Sequence, residues 1–190
     1  RYLVGAYAAP ENRVHFIEMA HYHGLPIFGL GGGSDSKLPD EQAAAEAALT
    51  LLAETLAGSH MIHDVGYLES GMLASFEQMV ICDELIGWIR RFVQGMEIND
   101  DTLALDMIDR LRSSSDYISE KHTSAHYRQD FYPKLLNRQN HDSWKAEGGT
   151  TLRQRAAARA RELLAAHQPE PLPADMVAAL DAIVEGVTTP

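Results

Sequence analysis

Two short segments carry the residue types that chemistry needs. The first is Gly31-Gly32-Gly33-Ser34-Asp35-Ser36-Lys37, between an apolar run at 25–30 and a helix start at Pro39-Asp40-Glu41. A glycine-rich loop at a helix entry could cradle a phosphate. The Gly-x4-Gly-Lys-Ser/Thr spacing is not met, however. Asp35, Asp40 and Glu41 would also repel an anion from the helix N-terminus. The glycines therefore bring backbone close to a ligand or make a structural turn. The second segment is His60-Met61-Ile62-His63-Asp64, with Tyr67 and Glu69 just beyond it. Side chains alternate along a strand, so residues three apart face opposite ways. His60 and His63 cannot share a metal while the strand lasts, and no metal site is expected. His63, Asp64, Tyr67 and Glu69 are candidates for a site or for a hydrogen-bonded structural role. His21 and His23 stand at a helix end and read as surface residues. Cys82, in the apolar run 79–82, reads as a buried, unreactive thiol.

The elements that position these segments alternate in type. Pro10-Glu11 opens a helical pattern that stops at His23-Gly24. Residues 25–30 read as a short buried strand. An Ala- and Leu-rich helix follows from about Asp40 to Ala57, with Pro and acids at its start. Residues 59–63 read as a second strand and residues 66–71 as its loop. A long helix then runs through Phe76, Val80, Leu85 and Trp88 to near Gly95. Helices between strands imply parallel βαβ units. The strands at 25–30 and 59–63 are expected to be parallel neighbours. Two such strands leave an unpaired edge, so an oligomer is expected.

From Ile98 onward the strand signal ends. Asn99-Asp100-Asp101 caps one amphipathic helix bearing Leu103, Leu105, Met107, Ile108 and Leu111. Shorter helical pieces with aromatics follow. Gly148-Gly149-Thr150 precedes a basic, Ala-rich helix bearing Arg153, Arg155, Arg159 and Arg161, which reads as solvated or subunit-facing. Prolines at 169, 171 and 173 break it before a last helix at about 174–187. The organisation expected is an α/β portion at 1–97 and a helical extension at 98–190.

Across its 190 residues the chain carries a formal net charge of −11. Nucleic-acid phosphates demand a basic surface, so that class of partner is disfavoured; a cationic substrate is tolerated. One cysteine excludes an intrachain disulfide framework and suits a reducing, cytoplasmic setting. No apolar run is long enough to span a membrane, and no signal peptide is visible. The opening Arg1-Tyr2-Leu3-Val4 has neither an initiator Met nor a helix cap. The expectation is a piece of a longer protein.

Three stretches resemble the trimethylamine methyltransferase family. They are Gly24-Leu25-Pro26 through the loop 31–37; Gly58-Ser59-His60 through Gly66-Tyr67-Leu68-Glu69-Ser70-Gly71; and a tail set. The tail set comprises Tyr117-Ile118, His122-Thr123, Tyr132-Pro133-Lys134-Leu135, Arg138, Trp144 and Gly148-Gly149. Together they reach across about residues 1–165. The resemblance implies an α/β fold, the C-terminal portion of a (β/α)8 barrel with a helical extension. In it the loops 31–37 and 64–70 would open on one catalytic face. It implies transfer of a methyl group from a tertiary or quaternary amine, trimethylamine or a betaine, to the cobalt of a separate corrinoid protein. No cofactor is then bound directly, and the corrinoid (cobalamin) arrives on the partner.

A quaternary ammonium has no N–H, so aromatic faces and carboxylates must hold it. Tyr7, Tyr67, Asp35, Asp64 and Glu69 are the right types for that task. His63 or Lys37 could hold a betaine carboxylate. Two other readings stay open: a non-catalytic fragment that folds only as an oligomer, and a different barrel enzyme such as a metal-dependent hydrolase.

Overall fold

A computed structural model describes residues 10–112 and 116–188. Tyr7, one of the residues expected to hold a cation, lies outside them. Pro10 opens α1 (Pro10–Tyr22), where its missing N–H is no loss. Gly24 ends the helix with a φ of +65°. There the N–H groups of Gly24 and Leu25 donate to the carbonyls of His21 and Ala20, a Schellman closure. That closure uses the Leu25 N–H, and Pro26 has none. The expected strand at 25–30 accordingly shrinks to β1 (Phe28–Leu30).

Helix α2 (Glu41–Ala57) is capped by the Asp40 carboxylate, which accepts from the Ala43 N–H, and ends on left-handed Gly58. His21 is exposed, as expected of a surface residue, and its Nε2 lies 3.1 Å from the Gly58 carbonyl, which links the ends of α1 and α2. Strand β2 (Met61–His63) is likewise shorter than the expected 59–63, because the Ser59 N–H turns back to the Glu54 carbonyl. β1 and β2 pair in parallel, Phe28 opposite Met61 and Leu30 opposite His63, as the sequence implied. The stretch 66–71, expected as plain loop, holds more. β3 (Tyr67–Leu68) and β4 (Leu73–Ala74) form a small antiparallel ribbon around a 3-10 turn at Glu69–Gly71. Two-residue strands are too short to leave an alternating pattern.

Ser75 caps α3 (Phe76–Val93) by accepting the Gln78 N–H. Past Asn99 the single helix expected is two: α4 (Asp100–Leu103) and α5 (Leu105–Leu111). They divide at Ala104, whose φ is +49°. The Ala104 N–H is spent on the carbonyls of Asp100 and Asp101. An alanine gives no warning of such a break. Then come α6 (Lys121–His126), α7 (His141–Ala146) and α8 (Leu152–Ala166).

The core gathers Ala47 and Leu51 of α2, Ile81, Cys82 and Leu85 of α3, Leu135, and Ala156 of α8. Burying each of the large apolar side chains contributes about 2 kcal/mol. Small residues at positions 43 and 47 are fully buried and let α2 approach its neighbours. Glu84 is buried too, and accepts the backbone N–H groups of Lys134, Leu135 and Leu136 at 3.2, 2.7 and 2.8 Å. Arg155 is not merely part of a solvated basic face. It donates to the carbonyls of Leu135 and Thr150, while Trp144 Nε1–H also donates to Thr150 at 3.0 Å. The tail residues singled out in the sequence therefore include the pieces that dock the segment 131–150.

The chain is thus mixed α/β, helix-rich, with two small two-stranded sheets among the described residues. It divides into two compact units, Arg1–Ala160 and Arg161–Pro190. The second contains α9 (Ala174–Thr188), whose apolar Leu180, Ile183 and Val187 are exposed. No described helix is long and apolar enough to cross a membrane.

Candidate functional site

Loops 31–37 and 64–70 leave the ends of β1 and β2 and run side by side. Four backbone hydrogen bonds join the two loops, and a fifth joins Gly31 to the last residue of β2. Gly31 N–H donates to the His63 carbonyl at 3.0 Å, Gly66 to Gly32 at 3.3 Å, and Ser34 to Tyr67 at 2.9 Å. Glu69 donates to Ser36 at 2.9 Å and Ser70 to Ser34 at 3.3 Å. The parallel ladder is therefore carried beyond the strands into the loops.

Glycine is required at two of these positions. Gly32 has a φ of +83°, and a Cβ there would lie 3.3 Å from Cys82 Sγ and 3.3 Å from Val65 Cα. Gly66 has a φ of +89°, and its Cβ would come within 3.2 Å of three Met79 atoms. Both close approaches are to protein, so here the turn role accounts for the glycines. Cys82 completes this floor by donating to the Gly32 carbonyl. Burial pushes its thiol up from 9.0 to about 11, which makes it a poor nucleophile, as expected.

The candidate side chains fall into two contacting groups. Asp35 accepts from the Ser70 hydroxyl, which bridges the loops. His63 Nδ1–H donates to Asp64 Oδ1 at 2.7 Å. A carboxylate only accepts, so this contact fixes the ring tautomer and leaves Nε2 for another partner. The Phe28 ring meets His63 edge to face at 5.1 Å. Tyr67 is 38% exposed and Glu69 half-buried. Lys37 is exposed and folds back to donate to the Asp35 carbonyl at 2.8 Å. Asp64, Glu69 and Ser70 all take left-handed backbone, with φ of 71°, 49° and 53°. Such strain at non-glycine residues costs of order 1–3 kcal/mol each and collects at functional loops.

Sequence reasoning missed what holds these loops. Glu46 accepts from the Ser34 hydroxyl at 2.5 Å and from the Asp35 N–H at 2.9 Å. The Thr50 hydroxyl accepts the Gly32 N–H at 3.1 Å. The Ser36 hydroxyl donates to Asp40 at 2.9 Å. With the Ala43 N–H, that contact holds the Asp40 carboxyl below its ordinary value. The available signal was a row of polar residues at 46, 50 and 54, spaced at helical intervals in an otherwise Ala-rich helix.

His60 and His63 do not converge. The ring of His60 accepts the Ile27 N–H and meets His21 edge to face, while His63 is engaged with Asp64.

A family model described as trimethylamine methyltransferase matches residues 5–187. Trimethylamine methyltransferase MttB of Desulfitobacterium hafniense is 39% identical over 168 residues, which are 88% of this chain and 34% of that protein. MttB of Methanosarcina barkeri is 33% identical over the same share of each. The glycine betaine methyltransferase of Desulfitobacterium hafniense is 32% identical over 169 residues, 88% of this chain and 35% of its own. This chain spans about a third of the length of these relatives. With the match running through nearly every described element, the chain belongs to the trimethylamine methyltransferase family.

Proposed function

We propose that the whole protein moves a methyl group from a tertiary or quaternary amine to the cobalt of a separate corrinoid protein. On this reading the loops 31–37 and 64–70 form part of the amine site. Residues 1–97 belong to a (β/α)8 barrel and 98–190 to its helical extension. The observation that carries the reading is the backbone ladder joining two loops that follow adjacent parallel strands. In a barrel such loops open on the catalytic face.

The cation sits against the half-exposed Tyr67 ring, with Asp35, Asp64 or Glu69 as counter-charge. His63 is oriented by Asp64, so its Nε2, when protonated, can donate to a betaine carboxylate. Lys37 is the alternative donor. The methyl carbon leaves nitrogen, which keeps the bonding pair, and needs nitrogen, carbon and cobalt in line. A pair of loops held to each other and to α2 supplies that positioning. The relatives' names give trimethylamine and glycine betaine as the two amines to try first. Among the described residues β1 and β2 pair only with each other, and their outer edges, with Phe28 and Met61 exposed beside them, favour association with further strands or a second copy.

The test uses full-length enzyme carrying Asp64→Asn or Tyr67→Ala, with corrinoid methylation followed for both amines. Loss of a charge partner beside a desolvated cation weakens binding by roughly 2–5 kcal/mol. Wild-type rates from both variants with every active amine would remove these residues from the site.

A further inference from the structure

Away from those loops, α4 and α6 bring one carboxylate and two imidazoles together. Asp101 lies in the first turn of α4, and His122 and His126 stand four apart on α6. That spacing puts both rings on one side of the helix. The potential ligand atoms of all three residues lie within 4.8 Å of one another. Asp101 Oδ2 and His126 Nε2 are 3.1 Å apart. Neighbouring ligands around a tetrahedral ion are separated by ~3.4 Å. The two rings stand 4.3 Å apart at 35°. His122 Nε2 lies 2.7 Å from the Asp101 backbone carbonyl, to which it donates when no ion is bound. Both rings thus converge on Asp101, His126 on its carboxylate and His122 on its backbone carbonyl.

The arrangement is held by contacts outside the triad. Asn99 and Thr102 form a reciprocal capping box at the start of α4. Arg110 forks onto Glu120, just before α6, at 3.0 and 2.6 Å. The Thr123 hydroxyl donates to the Tyr117 carbonyl at 2.6 Å. Asp100 and Asp106 line one cleft with Asp101 and His122, which makes the local field favourable to a cation. The Asp101 side chain is 72% exposed, so water has room to complete a coordination shell.

We infer that Asp101, His122 and His126 form a binding site for one divalent transition-metal cation of the zinc class. Two imidazole nitrogens and one carboxylate suit zinc better than magnesium or calcium, which prefer all-oxygen shells. The ion would tie α4 to α6 across 21 positions of chain, and a fourth position stays open to water. The inference stands apart from the amine reading, since none of its three residues belongs to the loops 31–37 and 64–70.

The test is calorimetric titration of chelator-treated full-length protein with zinc chloride, and with magnesium chloride as control. Wild type should bind one more zinc ion per chain than either Asp101→Asn or His126→Gln, or bind it at least tenfold more tightly. His141→Gln, which removes an exposed imidazole on α7, should match wild type. A second measurement needs no variant. Zinc should protect His122 and His126 of wild type from diethyl pyrocarbonate, read peptide by peptide by mass spectrometry, and leave His141 reactive. Equal zinc binding by wild type and both variants, or equal modification of His122 and His126 with and without zinc, overturns the inference.

Discussion

Glu46 on α2 and Glu84 on α3 each turn a carboxylate onto a segment with no regular structure of its own. Glu84 is buried and accepts only backbone N–H groups, three in a row. It therefore holds the segment 134–136 whatever side chains that segment carries. Glu46 is half-buried, and one of its two loop contacts is a hydroxyl, on Ser34. Its other oxygen accepts from Gln42, itself exposed. The tail dock is a stability device that excludes water. The loop dock is wetter and depends on particular side chains, which suits the amine site proposed for these loops.

The sharpest way to break this contrast is Glu84→Ala. It strands three backbone donors, and full-length protein should lose roughly 3 kcal/mol in urea unfolding. A loss near zero would mean that water replaces the carboxylate and that the two docks are alike. The floor under the glycine loop is next. Its thiol stays protonated when folded until about pH 11, against 9.0 when unfolded. Between those values the folded state holds the extra proton, so stability falls as pH rises, by up to ~1.4 kcal/mol per pH unit. Unfolding curves from pH 8 to 11 should show that slope in wild type and lose it in Cys82→Ala.

Gly32→Ala comes third, with a left-handed φ and contacts to Cys82 and Val65 that must give. A cost of ~1–2 kcal/mol in thermal unfolding is expected; an unchanged melting temperature would mean the loop relaxes freely. The smallest stability effect belongs to Glu46→Gln, which keeps an acceptor and should cost under ~1 kcal/mol. On the proposed function, the methyl-transfer rate of the full-length protein should nevertheless fall, because the Asp35 backbone loses a charged anchor. A normal rate would make Glu46 a structural residue only.

The parallel pair and its crossing helix were legible because Asp40, Gly58 and the apolar runs on either side each signal locally. Strand lengths were not. They were set by where Leu25 and Ser59 spend their N–H groups, and that is decided by the ends of α1 and α2. The break at Ala104 and the 67–74 ribbon had no composition signal either. For the site, residue types pointed to the two loops, and the loops do meet. Which side chains touch depended on Ser70, whose part follows from the left-handed turn at Glu69 and Ser70, and on Glu46, for which the polar row at 46, 50 and 54 was the one signal.

The ladder between the two loops also has a consequence for amide exchange. The N–H groups of Gly31, Ser34, Gly66, Glu69 and Ser70 are all spent across the same seam. None can meet solvent through that seam unless the loops separate. Their deuterium uptake is therefore tied to a single opening event, and a ligand resting on either loop would slow exchange on both sides of the seam together.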